Sequence, residues 1–163
     1  MQEIKPYIAK RSTRIHEACY NSTPEKIFPL LCPVLEYDWL EHWRCDLVHT
    51  ESGVAEMDGI FITFFEPGQT DVWTVSRYEK NERIEFIIVN SRRVSRLAIT
   101  LTANNDGTTN AQWKEVLTAL TPEGEKALES YSEKEWMLRR ENISMRLNYY
   151  LEHGTMYRDA EHH

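Results

Sequence analysis

The chain predicts an α+β fold: a curved antiparallel sheet of about seven strands packed against one long C-terminal helix. Three observations carry that expectation. Residues 45–120 read as six short strands at hairpin spacing, with no crossover helix between them, which makes them an antiparallel meander. Residues 121–154 lie between a helix start and a helix stop about 32 residues apart, roughly 48 Å of helix. The length of 163 residues with 41% hydrophobic content suits a single domain that buries about 70% of its unfolded surface.

Residues 1–10 have no clear period and form a lead-in. Residues 11–20 alternate as a strand with Ile15, Glu17 and Cys19 on one face. Asn21-Ser22-Thr23-Pro24-Glu25 stacks helix-start signals, including capping-box spacing from Ser22 to Glu25. The apolar face that follows is Ile27, Phe28, Leu30 and Leu31. Pro29 lies inside it and Pro33 ends it, so two short helices are expected. Trp39 and Trp43 are four apart, on one face of a helical turn. Each could be a plug between helix and sheet or a lid on a cavity; one of each is expected, with the assignment open.

The six strands follow at 45–51, 59–65, 70–77, 83–90, 93–103 and 108–120, the last two joined by the turn Asn104-Asn105-Asp106-Gly107. Alternation names an inner face: Trp73 and Val75; Ile84, Phe86 and Ile88; Leu97, Ile99 and Leu101; Ala111, Trp113, Glu115 and Leu117. Glu115 therefore points to the apolar side, where a carboxylate must be paired, hydrogen-bonded or neutral, unless it sits at a wet sheet edge.

The final helix starts at Thr121-Pro122, with Glu123 and Glu125 in its first turn, and stops at Gly154. At roughly 100° per residue it shows two apolar stripes, Tyr131, Leu138, Met145 and Tyr149, and Trp136, Ile143, Leu147 and Tyr150. A polar row of Glu135, Arg139, Asn142 and Arg146 runs between them. That row either faces a cavity, with Arg139 or Arg146 meeting Glu115, or carries an exposed Glu135–Arg139 pair.

A net charge of −7 and a pI near 5.4 argue against nucleic acid as a partner. Arg92, Arg93 and Arg96 are a local basic cluster. Cys19, Cys32 and Cys45 form no CxxC and read as free thiols of a reducing compartment. His42-x2-Cys45-x3-His49 is a poor ligand array, so no metal and no cofactor is expected. With no apolar run of spanning length and no apolar signal region in MQEIKPYIAKR, a cytoplasmic protein is expected.

One strand, a short helix pair, six antiparallel strands and a long helix follow the order of the helix-grip fold. On Asn21-Ser22-Thr23-Pro24-Glu25-Lys26-Ile27-Phe28, on Asn104-Asn105-Asp106-Gly107-Thr108-Thr109 and on the long helix, the chain resembles the START-like ligand-binding superfamily. That group includes birch pollen allergen-like and polyketide cyclase/dehydrase-like proteins. LCPVLEYDWLEHWRCDLVHTESGVAEMDGIF, residues 31–61, looks like a signature of uncharacterised bacterial members; the commoner form has Pro-Gly before the second Trp, where this chain has Glu41-His42.

The resemblance implies a single domain over 11–154, a short tail over 155–163, and an apolar cavity between sheet and helix. The leading expectation is a binder or carrier of a small hydrophobic molecule. Its candidate contacts are Trp39, Trp43, Trp73, Phe86, Ile99, Trp113, Glu115, Trp136, Arg139 and Arg146. The alternatives are a cyclase/dehydratase-type enzyme using Glu115 with a raised pKa, and a protein-interaction module using the sheet edge or the Arg92-Arg93-Arg96 face.

Overall fold

The computed structural model describes residues 8–65 and 67–160. Most of the expected lead-in, residues 1–7, and the end of the tail, residues 161–163, lie outside them. The elements are β1 (Arg11–Tyr20), α1 (Pro24–Ile27), two 3₁₀ turns (Phe28–Leu31 and Leu35–Asp38), β2 (Asp46–His49), β3 (Ile60–Thr63), β4 (Asp71–Glu79), β5 (Arg83–Val89), β6 (Arg93–Ala103), β7 (Thr109–Ala119), α2 (Pro122–Ser130) and α3 (Glu133–His153). They form one seven-stranded antiparallel sheet in the order β1-β7-β6-β5-β4-β3-β2. The meander runs in chain order from β2 to β7, and β1 is added beside β7 with Arg14 opposite Glu115 and His16 opposite Trp113. This is the expected α+β, helix-grip architecture.

The inner face matches the alternation. Val75, Ile84, Phe86, Leu97, Ile99, Leu101, Ala111, Trp113 and Leu117 are buried, and α1 with the 3₁₀ turns adds Ile27, Phe28, Leu31 and Trp39. Each full burial of such a side chain contributes about 1.5–3 kcal/mol before entropy is subtracted. In β1 the period is right but the chemistry is unexpected. Ile15, with Glu17 and Cys19, faces outward, while Arg14, His16 and Tyr20 are buried. At α1 the cap position belongs to Thr23, which makes no side-chain cap bond, so the Ser22–Glu25 box does not form.

The single long helix is a correction: it is two helices. Thr121 caps α2 as expected, its Oγ1 accepting the Gly124 N–H at 3.0 Å. α2 then ends at Ser130, Tyr131 leaves helical geometry, and Ser132 caps α3 by accepting the Glu135 N–H at 3.1 Å. The cause lies on β1. Buried Arg14 donates to the Tyr131 carbonyl at 2.6 Å and the Ser132 carbonyl at 3.3 Å. A buried guanidinium requires acceptors: the Tyr131 carbonyl, past the end of α2, supplies one, and the Ser132 carbonyl is shared with the Trp136 N–H at 3.0 Å. α3 is therefore 21 residues, about 32 Å, and stops where Gly154 turns left-handed at φ 70°.

Of the two apolar stripes only one is buried. Trp136 and Leu147 are in the core, with Ile143 and Tyr150 packed against it, whereas Leu138 and Met145 of the other stripe are exposed. α2 is pressed onto the β5–β6 hairpin: a Cβ on Gly124 would lie 2.1 Å from the Arg92 carbonyl oxygen, which accepts the Leu120 N–H at 2.8 Å. Among the described residues no helix is long and apolar enough to cross a membrane.

Candidate functional site

Between the inner face of β4–β7 and the first half of α3 lies a cavity of about 380 Å³. Its apolar wall is Leu40, Trp43, Phe65, Trp73, Ile88 and Ile143, and its polar side is Arg93, Arg139, Arg140 and Glu115. Alternation on β4, β5 and β6 aims Trp73, Ile88 and Arg93 inward. The Trp73 indole N–H donates to Thr63 Oγ1 at 2.9 Å, and its ring stacks on Phe61 (5.1 Å) and meets Phe86 edge-on (5.5 Å). Trp43 donates its N–H to the Pro33 carbonyl at 2.8 Å and rests against Phe65 at 5.5 Å. Both indoles have their polar handle satisfied by the protein, which leaves ring surface for the cavity.

Trp39 is the plug. It is fully buried and its N–H donates to the Leu30 carbonyl at 2.8 Å. Trp43 is the one that lines the cavity. The turn between them answers the departure from the commoner Pro-Gly form: His42 adopts φ 65°, the left-handed conformation that glycine takes without strain.

Glu115 sits at the base of the polar side, buried, with Oε2 accepting from Trp136 Nε1 at 2.9 Å and Arg140 Nη2 at 2.7 Å. Its partner is thus Arg140, neither Arg139 nor Arg146. The Arg140 guanidinium also lies over the Trp113 ring (5.7 Å) and the Trp136 ring (5.3 Å), and its Nε is buried without a partner. Burial pushes the Glu115 carboxyl up. The Arg140 charge, the two hydrogen bonds and the charge of Arg93 together outweigh that, so its pKa falls below the ordinary carboxylate value. The expectation of a raised pKa is corrected: this carboxylate is ionised and engaged.

Arg139 lines the cavity as expected, but the Glu135–Arg139 ion pair does not form. Its guanidinium instead lies over the Tyr131 ring at 5.4 Å, with Arg14 at 5.1 Å from the same ring. Arg146 is elsewhere: it binds Asn142 Oδ1 (2.8 Å) and Asp159 Oδ1 (2.6 Å) and faces the Tyr157 ring, tying the tail to α3. Phe86, Ile99, Trp113 and Trp136 belong to the core around the cavity and do not line it. Arg92, Arg93 and Arg96 are not one face. Arg93 turns into the cavity, whereas Arg96 reaches Glu85 on the opposite side of the sheet, where Arg77 and Arg83 also meet it.

A second chamber of about 320 Å³ adjoins the cavity, sharing Arg93, Tyr131 and Arg139 and extending to Asn90, Arg92 and α2. His42, Cys45 and His49 do not converge as a donor set. Glu41, His42 and Asp159 do come within 4.8 Å of one another, but Glu41 already accepts the Asp159 N–H at 2.9 Å and faces Arg146 and Arg158. The residues that sequence reasoning missed are Arg140, Tyr131, Phe65 and the inward role of Arg93. One signal was available: Ser132-x-x-Glu135 is itself a helix start.

No family model and no curated protein matches the chain, whereas solved structures do share its fold. A protein from Rhizobium leguminosarum aligns with a TM-score of 0.62 at 15% identity, over 89% of this chain and 97% of that one. CalU16 from Micromonospora echinospora aligns at 0.57 and 11% identity, over 91% and 86%. DynU16, described as a putative protein in the dynemicin biosynthetic locus, aligns at 0.61 and 15% identity over 88% of this chain. This chain spans about half of DynU16, 48% of its length. At such identities the likeness establishes a common helix-grip fold.

Proposed function

We propose that the protein is a START-like binder or carrier of a small molecule with an apolar, aromatic-bearing body, held between the sheet and α3. The observation that carries this reading is the 380 Å³ cavity walled by Trp43, Phe65 and Trp73 with one ionised, engaged carboxylate at its base. Its size is within the range of small-molecule sites, and a mostly apolar wall with a few convergent polar groups is their usual composition. Three free thiols fit a reducing compartment.

The cyclase/dehydratase alternative loses support from Glu115. A carboxylate held below its ordinary pKa and bound to Trp136 and Arg140 is a weak base and no acid at neutral pH. The anchoring of Arg140 is the role its geometry favours.

Native mass spectrometry of the freshly purified protein, followed by denaturing extraction, tests the carrier reading. A discrete added mass that is lost on denaturation, and lost in Trp73→Ala, is the expected result. A clean unliganded mass, together with no change in Trp fluorescence across a panel of hydrophobic ligands, would sink it.

A further inference from the structure

We propose that the ligand carries an anionic oxygen-acid group, a carboxylate, sulfonate or phosphate, that seats on Arg93 and Arg139 while its aromatic body lies against Trp43 and Trp73. This rests on reading the cavity as a ligand site and goes beyond it in naming the ligand's charge and orientation.

The argument is one of unmatched charge. Three guanidinium groups, those of Arg93, Arg139 and Arg140, converge on the polar side of the cavity, and Glu115 there engages Arg140. Among the described residues the guanidinium of neither Arg93 nor Arg139 forms an ion pair or a hydrogen bond; Arg93 acts on Glu115 only through its charge, and its backbone N–H donates to Asn90 Oδ1 at 2.9 Å. Of the other carboxylates at the wall, Glu41 faces Arg146 and Arg158, and Asp71 accepts from the neutral Asn90 amide at 2.7 Å and pairs with neither Arg93 nor Arg139. Glu135, in the adjoining chamber, is exposed and does not meet Arg139. Arg139 is exposed at the cavity mouth, where its guanidinium lies over the Tyr131 ring at 5.4 Å. A positioned guanidinium with free donors matches the paired oxygens of an oxyanion. Arg93 and Arg139 are shared by both chambers, so they stand where the apolar cavity opens into the polar one. A molecule with one aromatic end and one anionic end fits that order.

Two fluorescent probes of one skeleton test it: 8-anilinonaphthalene-1-sulfonate and its neutral counterpart N-phenyl-1-naphthylamine, which lacks the sulfonate. Wild type should bind the sulfonate about tenfold tighter or more, and the preference should shrink with added salt. The variants Arg93→Gln and Arg139→Gln should each remove most of that preference and leave the neutral probe within about twofold. Trp73→Ala should weaken both probes. Equal affinity for the two probes in wild type, or a sulfonate preference untouched by either Arg variant, overturns the anion proposal while the cavity reading stands. Failure of both probes to bind, or binding indifferent to Trp73→Ala, overturns the cavity reading and this proposal with it.

Discussion

The two halves of α3 cover the same sheet and do opposite things with polar groups. Beneath its second half, Trp113 donates its indole N–H to Tyr20 Oη (3.1 Å), Tyr20 bonds Ser144 Oγ (2.9 Å), and Ser144 bonds His16 Nε2 (3.1 Å). Indole is a donor only, so the chain runs most simply toward a neutral His16 accepting at Nε2, a tautomer assigned from the network. Burial lowers the His16 pKa and Arg140 adds to that, against opposing pulls from Glu141 and Glu17. Beneath the first half, Arg93 and Arg139 face a cavity with no hydrogen bond or ion pair to their guanidinium groups among the described residues. Where every polar group is matched within the chain the interior is closed. Where the matches are missing there is room for a molecule that supplies them.

The largest effect should come at the boundary between the halves. Glu115→Ala leaves the partly buried Arg140 unpaired over two Trp rings, which should cost about 3 kcal/mol in chemical denaturation. A loss under about 1 kcal/mol would mean that the pair is solvated and that the halves are less distinct. In the closed half, Tyr20→Phe removes one hydroxyl that serves both Trp113 and Ser144, and should cost about 2 kcal/mol with the fold retained by circular dichroism.

A pH measurement probes the 3₁₀ turn Leu35–Asp38 beside the two halves. Burial pushes the Glu36 carboxyl up to about 8, opposed by the Arg140 charge. The residue is half-buried, so water moderates the effect. Folded Glu36 holds its proton better than unfolded Glu36, so its contribution to stability is fullest below pH 4.5 and is lost as pH rises toward 8. His16 works the other way, its lowered pKa making stability rise as pH climbs to 6.5. Glu36→Gln should therefore match wild type near pH 4 and exceed it by on the order of 1–2 kcal/mol at pH 8. A constant difference across that range would remove Glu36 as the cause. The smallest effect belongs to the cavity itself: Arg139→Gln should change the denaturation midpoint by less than about 0.5 kcal/mol, because no ion pair or hydrogen bond is lost. A loss near that of Tyr20→Phe would show that the open half is as tightly matched as the closed one.

The strands were legible because the alternation of Ile84, Phe86 and Ile88, of Leu97, Ile99 and Leu101, and of Trp113, Glu115 and Leu117 is a local property of two-residue period. β6 has its expected bounds, and the other meander strands lie within a few residues of theirs. β1 kept its period while its inner face turned out polar, since Arg14 and His16 find partners that hydrophobic patterning does not register. The candidate site was half legible. Trp43, Trp73, Glu115 and Arg139 line the cavity, while Arg140, one turn after Trp136 on the same face of α3, was missed because that face was read as apolar.

By itself the sequence determined the α+β class, the order of the six-stranded meander, the inward carboxylate at Glu115 and the ends of the helical region at Thr121 and Gly154. All of these rest on periodicity and capping within a few residues of chain. Tertiary structure alone decided that Arg14 holds the Tyr131 carbonyl, that Glu115 takes Arg140, and that Trp39 and Trp43 divide into plug and wall. Each depends on a partner distant in sequence; Arg14 is 117 residues from the carbonyl it holds. A buried polar group takes whichever acceptor the fold brings within 3 Å or so, and spacing along the chain does not encode that.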